Sequence, residues 1–496
     1  MRVTRSRRTR TAGVGALVLA GALVLAACGS NLDPDEVVGI GQAGATVAPD
    51  GTIVDDGTVP GTDSSVPGTD TGTGTDTGTG TDTGTDTGTD TGTDTGKTDT
   101  GDDPAPGGTD NDADSGVEAG SCDGFDNNQT GVTADTITLA NVADISGPVP
   151  GIFESAQQAT RAFVEYFNST SDLCGHKLVV EMLDSRADAG ADQQAYASAC
   201  DNAFAAVGSM GAFDAGGAAT AQACGIPDLR STSTSPERNK CGTCFSAQAV
   251  TPNLIPSAVP KFFLSKYKDA ASAVGVLYIN AGSAAPNALY QKNAWVKAGW
   301  KVPYFQGIDV AEFNFAPYVQ QMKDKGVKMV VYTGPYQNTV KIQQAMQQQG
   351  FEALFMQDST IYDQGYVDQA GSLGDGTFVY STTELFTSSN AEMKLYRAWL
   401  DQVSPGANPN FFGLYAWSAA RLFVQEAVEL GGKLTRESLI ASFKGVKNWT
   451  SNGMHAPQQV GAKTTAECYK IFQLNGGSWK QVSGGDYLCS PLINGA

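Results

Sequence analysis

From residue 136 onward, short β-branched or apolar runs alternate with longer stretches of helical periodicity, and turn residues stand between them. The runs at 136–140, 177–182, 206–208, 273–279, 328–332 and 354–357 read as buried strands. Between them, the segment 153–168 places Ala156, Ala159, Phe163 and Phe167 on one helical face, and Ala195, Ala199, Ala203 and Ala206 repeat that spacing in the next segment. Further helices are predicted at 289–298, 315–325, 340–349 and 413–430. Strands alternating with helices of this length imply an α/β fold with parallel sheets and right-handed crossovers. The 375 residues from Cys122 to the end exceed one ordinary core, so two Rossmann-like lobes are expected.

A doubly wound sheet binds ligands beyond the carboxyl ends of its strands. Three loops in such places are rich in small or hydroxyl residues that leave backbone N–H groups bare: Asp144 to Pro148, Ser209 to Asp214, and Thr232 to Glu237. Loops of this kind suit a carboxylate. Each is also an ordinary helix cap when taken singly, and it is their recurrence at successive strand ends that points to a binding site.

The N-terminal region follows a different pattern. Arg2, Arg5, Arg7, Arg8 and Arg10 precede an apolar run from Ala12 to Ala27, which ends in Leu25-Ala26-Ala27-Cys28. The run is short for a membrane span and has the layout of a cleaved export signal. Its end resembles a bacterial lipobox, which makes residues 1–28 a lipoprotein signal and Cys28 the lipidated mature N-terminus, held durably by several acyl chains. An uncleaved signal anchor is the alternative. Residues 29–121 carry a Gly-Thr-Asp-Thr repeat and almost no large apolar side chains, so they cannot bury enough surface to offset chain entropy. They read as a disordered tether with a reach of roughly 50 to 60 Å, although calcium binding by the aspartates is conceivable.

The net charge of −20 is concentrated in that tether, which holds −19, whereas residues 122–496 hold −6. A basic face for nucleic acid is therefore not indicated. Eight cysteines remain after Cys28, an even number that suggests up to four disulfides in an exported chain. Near-neighbour pairing of Cys241 with Cys244 and of Cys468 with Cys489 is expected. Cys241-Gly242-Thr243-Cys244 could instead be a redox motif, but it does not stand at a helix start, where a thiolate would be stabilised, so a structural staple is preferred. His176 and His455 are the only histidines, no second closely spaced Cys or His pair completes a zinc site, and no metal or cofactor is expected.

The order of Ile145-Ser146-Gly147-Pro148, Thr234-Ser235-Pro236-Glu237, Val331-Tyr332-Thr333-Gly334-Pro335-Tyr336 and Phe355-Met356-Gln357-Asp358-Ser359 resembles the type 1 periplasmic-binding-protein superfamily. Within it, the likeness is to the leucine/isoleucine/valine-binding branch of solute receptors for ABC importers, and it covers about residues 131–481. The resemblance implies two lobes joined by three crossover strands, here near Phe245, Tyr380 and Met454. Residues 122–247 plus 381–453 would form one lobe and residues 248–380 plus 454–496 the other. A small ligand would sit between them, and closure of the lobes would be read by the importer's membrane permease subunits.

Carried over by position, Gly211, Ala212, Thr232 and Thr234 fall on the side that holds an α-carboxylate, with Ser146 in the loop after the first strand. Tyr336 falls on the family's pocket tyrosine, and Asp358 or Ser359 on its acidic position, where an aromatic face and a carboxylate suit an ammonium. For Tyr336 the alternative is interlobe packing, and for Asp358 it is a helix cap. Phe213 and Asp214 depart from the hydroxyl-rich loop usual after the third strand, adding bulk and charge. The ligand is accordingly expected among amino acids, amides and related compounds, with urea, aromatic acids and short peptides open.

No Gly-x-Ser-x-Gly elbow, P-loop or paired metal motif occurs, so the chain is expected not to be an enzyme. The resemblance implies an extracytoplasmic, lipid-anchored solute-binding protein. A ligand-sensing receptor module and a scaffold or adhesive lipoprotein of the cell surface are the alternatives. Since no signalling domain is read after Ala496, delivery is expected over sensing.

Overall fold

In the computed structural model, residues 119–496 are described, together with one two-residue pairing upstream, Thr46–Val47 with Ile53–Val54. The signal segment, Cys28 and the rest of the Gly-Thr-Asp tether lie outside the described residues.

The first sheet consists of β1 (Thr136–Ala143), β2 (Lys177–Asp184), β3 (Ala205–Val207), β4 (Asp228–Thr232) and β5 (Cys244–Gln248). Its order is β2-β1-β3-β4-β5 and every pairing is parallel. Helices α1 (Glu154–Thr170), α2 (Ala189–Asn202), α3 (Ala218–Cys224) and α4 (Pro236–Lys240) connect these strands. After β6 (Leu254–Pro256) and the helices α5 (Ala258–Lys266) and α6 (Lys268–Ala271), a second sheet begins. It takes in β7 (Val274–Ile279), β8 (Tyr304–Ile308), β9 (Met329–Thr333), β10 (Leu354–Gln357) and β11 (Phe378–Ser381), in the order β8-β7-β9-β10-β11. Helices α7 (Ala284–Lys297), α8 (Ala316–Asp324), α9 (Tyr336–Gln348) and α10 (Gln364–Ala370) cross between them.

Both sheets thus share one strand order, with a reversal beside their first strand, which is where a doubly wound sheet opens a crevice. The second sheet departs from the all-parallel expectation at its far side. There β12 (Cys468–Asn475) runs antiparallel to β11, and β13 (Ser478–Gln481) and β14 (Leu488–Cys489) run antiparallel to β12. Gly476 and Gly477, both at positive φ, close the β12–β13 hairpin, so no crossover helix is needed to reverse the chain. Finally β15 (Leu492–Asn494) returns to pair with β6.

Three helices follow β11: α11 (Ala391–Val403), α12 (Phe411–Leu430) and α13 (Arg436–Gly445). They pack on the first sheet, so one apolar core takes Leu139, Phe163 and Phe245 together with Tyr396, Trp417, Phe443 and Met454. A separate core joins Val276, Trp295 and Met356 with Tyr380 and Ile471. Helix α12 is apolar on nearly every face because it is covered on nearly every face. Asn410 caps it, its side chain accepting the N–H of Gly413 at 2.9 Å.

The cysteines form four bridges: Cys122–Cys174, Cys200–Cys224, Cys241–Cys244 and Cys468–Cys489. The first ties the entry of the chain to the loop before β2, and Gly120 and Gly432 add backbone hydrogen bonds that dock the entry on the end of α12. The Cys241–Cys244 pair follows the carboxyl end of α4 and is buried, which makes it a staple and removes the helix N-terminus that a redox pair requires.

His455 lies buried beside the passage near Met454. Its Nδ1–H donates to the Ala456 carbonyl at 3.0 Å, so Nε2 accepts the Ser418 hydroxyl at 2.8 Å. Burial holds the ring neutral and lowers its pKa from 6.5 to about 4. The unfolded chain therefore takes up a proton first, so this stability is present above pH 6.5 and is lost as pH falls toward 4, up to about 3 kcal/mol in all. Chemical denaturation across that window should show a stability loss that flattens by about one proton in His455→Gln; an unchanged slope would exclude His455 as its source.

Candidate functional site

The carboxyl ends of the two sheets face one another across a cavity of about 650 Å³. From the first sheet come Asp144 after β1, Met210, Ala212 and Phe213 after β3, and Thr232 to Thr234 at the end of β4. The second sheet contributes Ile279 at the end of β7 and Ser283 beyond it, Thr333 at the end of β9 with the residues up to Tyr336, Asp358 and Ser359 after β10, and Tyr380 in β11. Apolar side chains dominate the wall. Toward the passages between the sheets the cavity reaches Ile255, Val259, Trp295 and Tyr469, all largely buried.

Of the residues singled out from the sequence, Ala212, Phe213, Thr232, Thr234, Tyr336, Asp358 and Ser359 line this cavity, whereas Ser146, Gly211 and Asp214 do not. Ser146 is exposed and donates its hydroxyl to Asp184 at 2.5 Å. Gly211 is buried behind the wall, its carbonyl accepting the Thr234 hydroxyl at 3.2 Å. Asp214 is fully buried, accepts the Thr234 N–H at 2.8 Å, and lies 3.9 Å from Arg230 Nε.

The three loops do hold carboxylates, and these come from the protein itself. Asp184 accepts the N–H groups of Ile145 and Ser146 at 3.0 and 3.2 Å. Asp144 accepts the Ala212 N–H at 2.8 Å through one oxygen, and the Ser185 hydroxyl and the Ala187 N–H through the other. Asp214 serves Thr234 in the same way. A strand-end loop with bare N–H groups is an anion site, and an acidic side chain within reach satisfies it without any ligand.

On the opposite wall, Asp358 accepts the N–H and the hydroxyl of Thr360 and so caps the short 3-10 turn Ser359–Ile361, the cap anticipated as the alternative role. Burial pushes its carboxyl above the ordinary range. The Ser359 hydroxyl donates to the Tyr380 carbonyl at 2.9 Å. Burial raises the Tyr336 phenol, and Asp363 beside it adds to the rise. Asp363, which sequence reasoning did not single out, caps α10 and accepts the side-chain amide of Asn410 at 3.0 Å. It thereby joins the second sheet's loops to the helix α12 that packs on the first. Thr333 also lines the cavity, is 8% exposed, and its Oγ1 has no hydrogen-bond partner. The sequence signal for these residues was position at a strand end, without the small-residue run that marked the other loops.

The two walls touch at the N-terminus of α7. Ser283 N–H donates to the Ala212 carbonyl at 3.1 Å, and the Asn287 amide donates to the Thr234 carbonyl at 3.2 Å. Gly282 permits the approach, with φ of 51° and space so tight that an added Cβ would lie 2.6 Å from the Ala212 oxygen.

A family model described as periplasmic binding protein matches residues 136–478. The chain belongs to this family. Solved structures share its fold. A fatty acid ABC transporter substrate-binding protein from Thermomonospora curvata superimposes with a TM-score of 0.65 at 17% identity, covering 75% of this chain and 97% of that one. A branched-chain amino acid transporter substrate-binding protein from Streptococcus pneumoniae, in complex with isoleucine, gives a TM-score of 0.62 at 14% identity over 72% of this chain and all of that one. In sequence, a Leu/Ile/Val-binding protein homologue from Brucella suis biovar 1 is 26% identical over 141 residues, which is 28% of this chain and 36% of the relative. The matched stretch thus spans about a third of that curated relative.

The α7 contacts make closure of this periplasmic binding protein testable. Asn287→Ala should weaken the closed form by about 1 kcal/mol, the worth of one hydrogen bond, and Gly282→Leu should prop the lobes apart outright. Small-angle scattering of the ligand-free proteins should report a larger radius of gyration for Gly282→Leu than for the parent; equal radii would remove these contacts as a closure latch.

Proposed function

We propose that this protein is the extracytoplasmic solute-binding component of an ABC importer, lipid-anchored through Cys28, which closes two lobes around a small ligand and presents the closed form to membrane permease subunits. The observation that carries this reading is the apolar-walled cavity of about 650 Å³ at the carboxyl ends of both sheets, a size suited to a small organic ligand. Neither histidine is at the cavity: His455 is buried behind Ser418, and His176 bonds the Asn127 side chain and backbone carbonyls. The residues on the walls are apt for binding, and the reading is of a receptor, not an enzyme.

Isoleucine and a fatty acid, the ligands named for two solved relatives, both join a polar head to an apolar body. The wall here supports the same division. Phe213, Phe411 and Tyr469 offer apolar surface, and polar groups are gathered at the strand ends. The order of lipobox, long acidic tether and folded body supports delivery from a membrane anchor, with the tether giving the lobes room to meet a permease.

Thermal unfolding of the oxidised full chain, stripped of ligand by refolding, tests the binding role against amino acids, amides, amines, aromatic acids and short peptides. A ligand at one hundred times its Kd should add about 2.7 kcal/mol and raise the midpoint visibly; a well-folded sample that responds to none of them would favour a scaffold. For the anchor, Cys28→Ser should move the protein from the membrane fraction to the soluble one, and continued membrane association would exclude lipidation at Cys28.

A further inference from the structure

Resting on the solute-binding reading, we infer that the ligand of this cleft is an organic cation, an amine with an apolar or aromatic body and no carboxylate beside it. The first ground is the set of filled loops. Asp184, Asp144 and Asp214 already accept the N–H groups of Ser146, Ala212 and Thr234, and the carbonyls of Ala212 and Thr234 are taken by Ser283 and Asn287. A ligand carboxylate brought to this wall would find those donors occupied and would meet the Asp144 carboxylate, which lines the cavity.

The second ground is the charge of the cavity. Asp144, Glu154, Asp358 and Asp363 line it, and among the described residues that do so there is no lysine or arginine. None of Asp144, Asp358 and Asp363 takes part in an ion pair among the described residues. Burial raises the carboxyls of Asp358 and Asp363, and among the described residues no cationic side chain beside them supplies a counter-charge. A ligand cation would supply that charge where the protein does not.

The third ground is the pairing of carboxylate with aromatic ring. Tyr336 stands within the field of Asp363, and Tyr380 within that of Asp358. An ammonium placed against either pair would gain a charge-assisted hydrogen bond and an aromatic face together. Thr333, nine-tenths buried on the same wall, has a hydroxyl oxygen with no partner and is free to accept one of the ammonium's remaining protons. The apolar body would extend along Phe213 and Phe411 or back toward Trp295 and Tyr469.

The test uses matched ligands that differ only at the head: phenethylamine, 3-phenylpropionate and 2-phenylethanol, then octylamine, octanoate and octanol. Each is titrated into the oxidised, ligand-stripped full chain by calorimetry. The amine of a set should bind at least about tenfold tighter than its acid and alcohol, the least that one charge-assisted hydrogen bond is worth. Asp358→Asn or Asp363→Asn should lower amine affinity about tenfold to a hundredfold and so remove the margin of the amine over its matched alcohol. Tighter binding by the acid or the alcohol would overturn the cation assignment and leave the solute-binding reading intact. Failure of every member of both sets, with the fold intact, would overturn the cation assignment and leave the solute-binding reading to the wider ligand panel.

Discussion

A buried ion cluster behind the first lobe's loops sets the geometry on which the cleft depends. Arg238 reaches Asp192 at 3.0 Å, Asp228 at 2.9 Å and the Asp214 carbonyl at 2.8 Å, while its guanidinium lies over the Tyr196 ring. Arg230 lies beneath it, bonded to Tyr196 and 3.9 Å from both Asp214 and Asp228. Both arginines, Asp214 and Asp228 are wholly buried, and Asp192 nearly so. Such a cluster is costly to desolvate and is a weak source of net stability, but removing any one member would leave an uncompensated charge in the interior. Its effect here is positional. Arg238 starts in α4, Asp192 in α2 and Asp228 in β4, so three elements are held in one register, and the loop 211–217 is pinned through Asp214 and through the Gly217 N–H on Asp192 at 2.7 Å.

That pinning explains why Asp214 faces the protein and not the ligand. With its carboxylate turned back to Arg230 and to the Thr234 N–H, the loop presents Ala212 and Phe213 to the cavity instead. The same economy recurs at Asp144 and Asp184, each at the end of a parallel strand and each accepting backbone donors from a neighbouring loop. The backbone donors of the first wall named above are consequently satisfied before any solute arrives. The second wall is less complete, and there the ordering rests on caps: Asp358 on its short turn, Asp363 on α10. On the solute-binding reading, specificity would therefore fall to the wall whose polar groups retain unused capacity.

Much of the fold was legible in the sequence because most of its central strands are buried on both faces. Continuous runs such as Thr136 to Ala140 and Lys328 to Tyr332 carry that signal. The near-neighbour disulfides Cys241–Cys244 and Cys468–Cys489 were legible from spacing, whereas Cys122–Cys174 and Cys200–Cys224 join residues that only the folded sheet brings together. The antiparallel strands after residue 468 were not read, since short strands with polar interruptions lack a helical partner in the pattern. At the cleft, strand-end position marked the right loops. It could not say which way Asp214 turns, because that depends on Arg230, sixteen residues later and buried beneath a different strand end. Nor could it find Asp363 and Asn410, whose meeting depends on how α10 and α12 approach.

The closing contacts are few, and that sets what a ligand must do. Two hydrogen bonds from α7 and one between Asp363 and Asn410 join the walls at the cleft, each worth about 1 kcal/mol once exchanged against water. On the solute-binding reading, a latch of that strength is one that a modest differential affinity of the ligand can override. The apolar wall supplies such affinity only when both sides cover the same solute, because surface buried against one wall alone is already buried in the open form. Ligands that reach across from Phe213 to Tyr336 therefore favour closure, whereas a head group satisfied by the second wall alone would bind without closing the lobes. The apolar body, and not the polar head, is on this argument what converts binding into the form a permease would recognise.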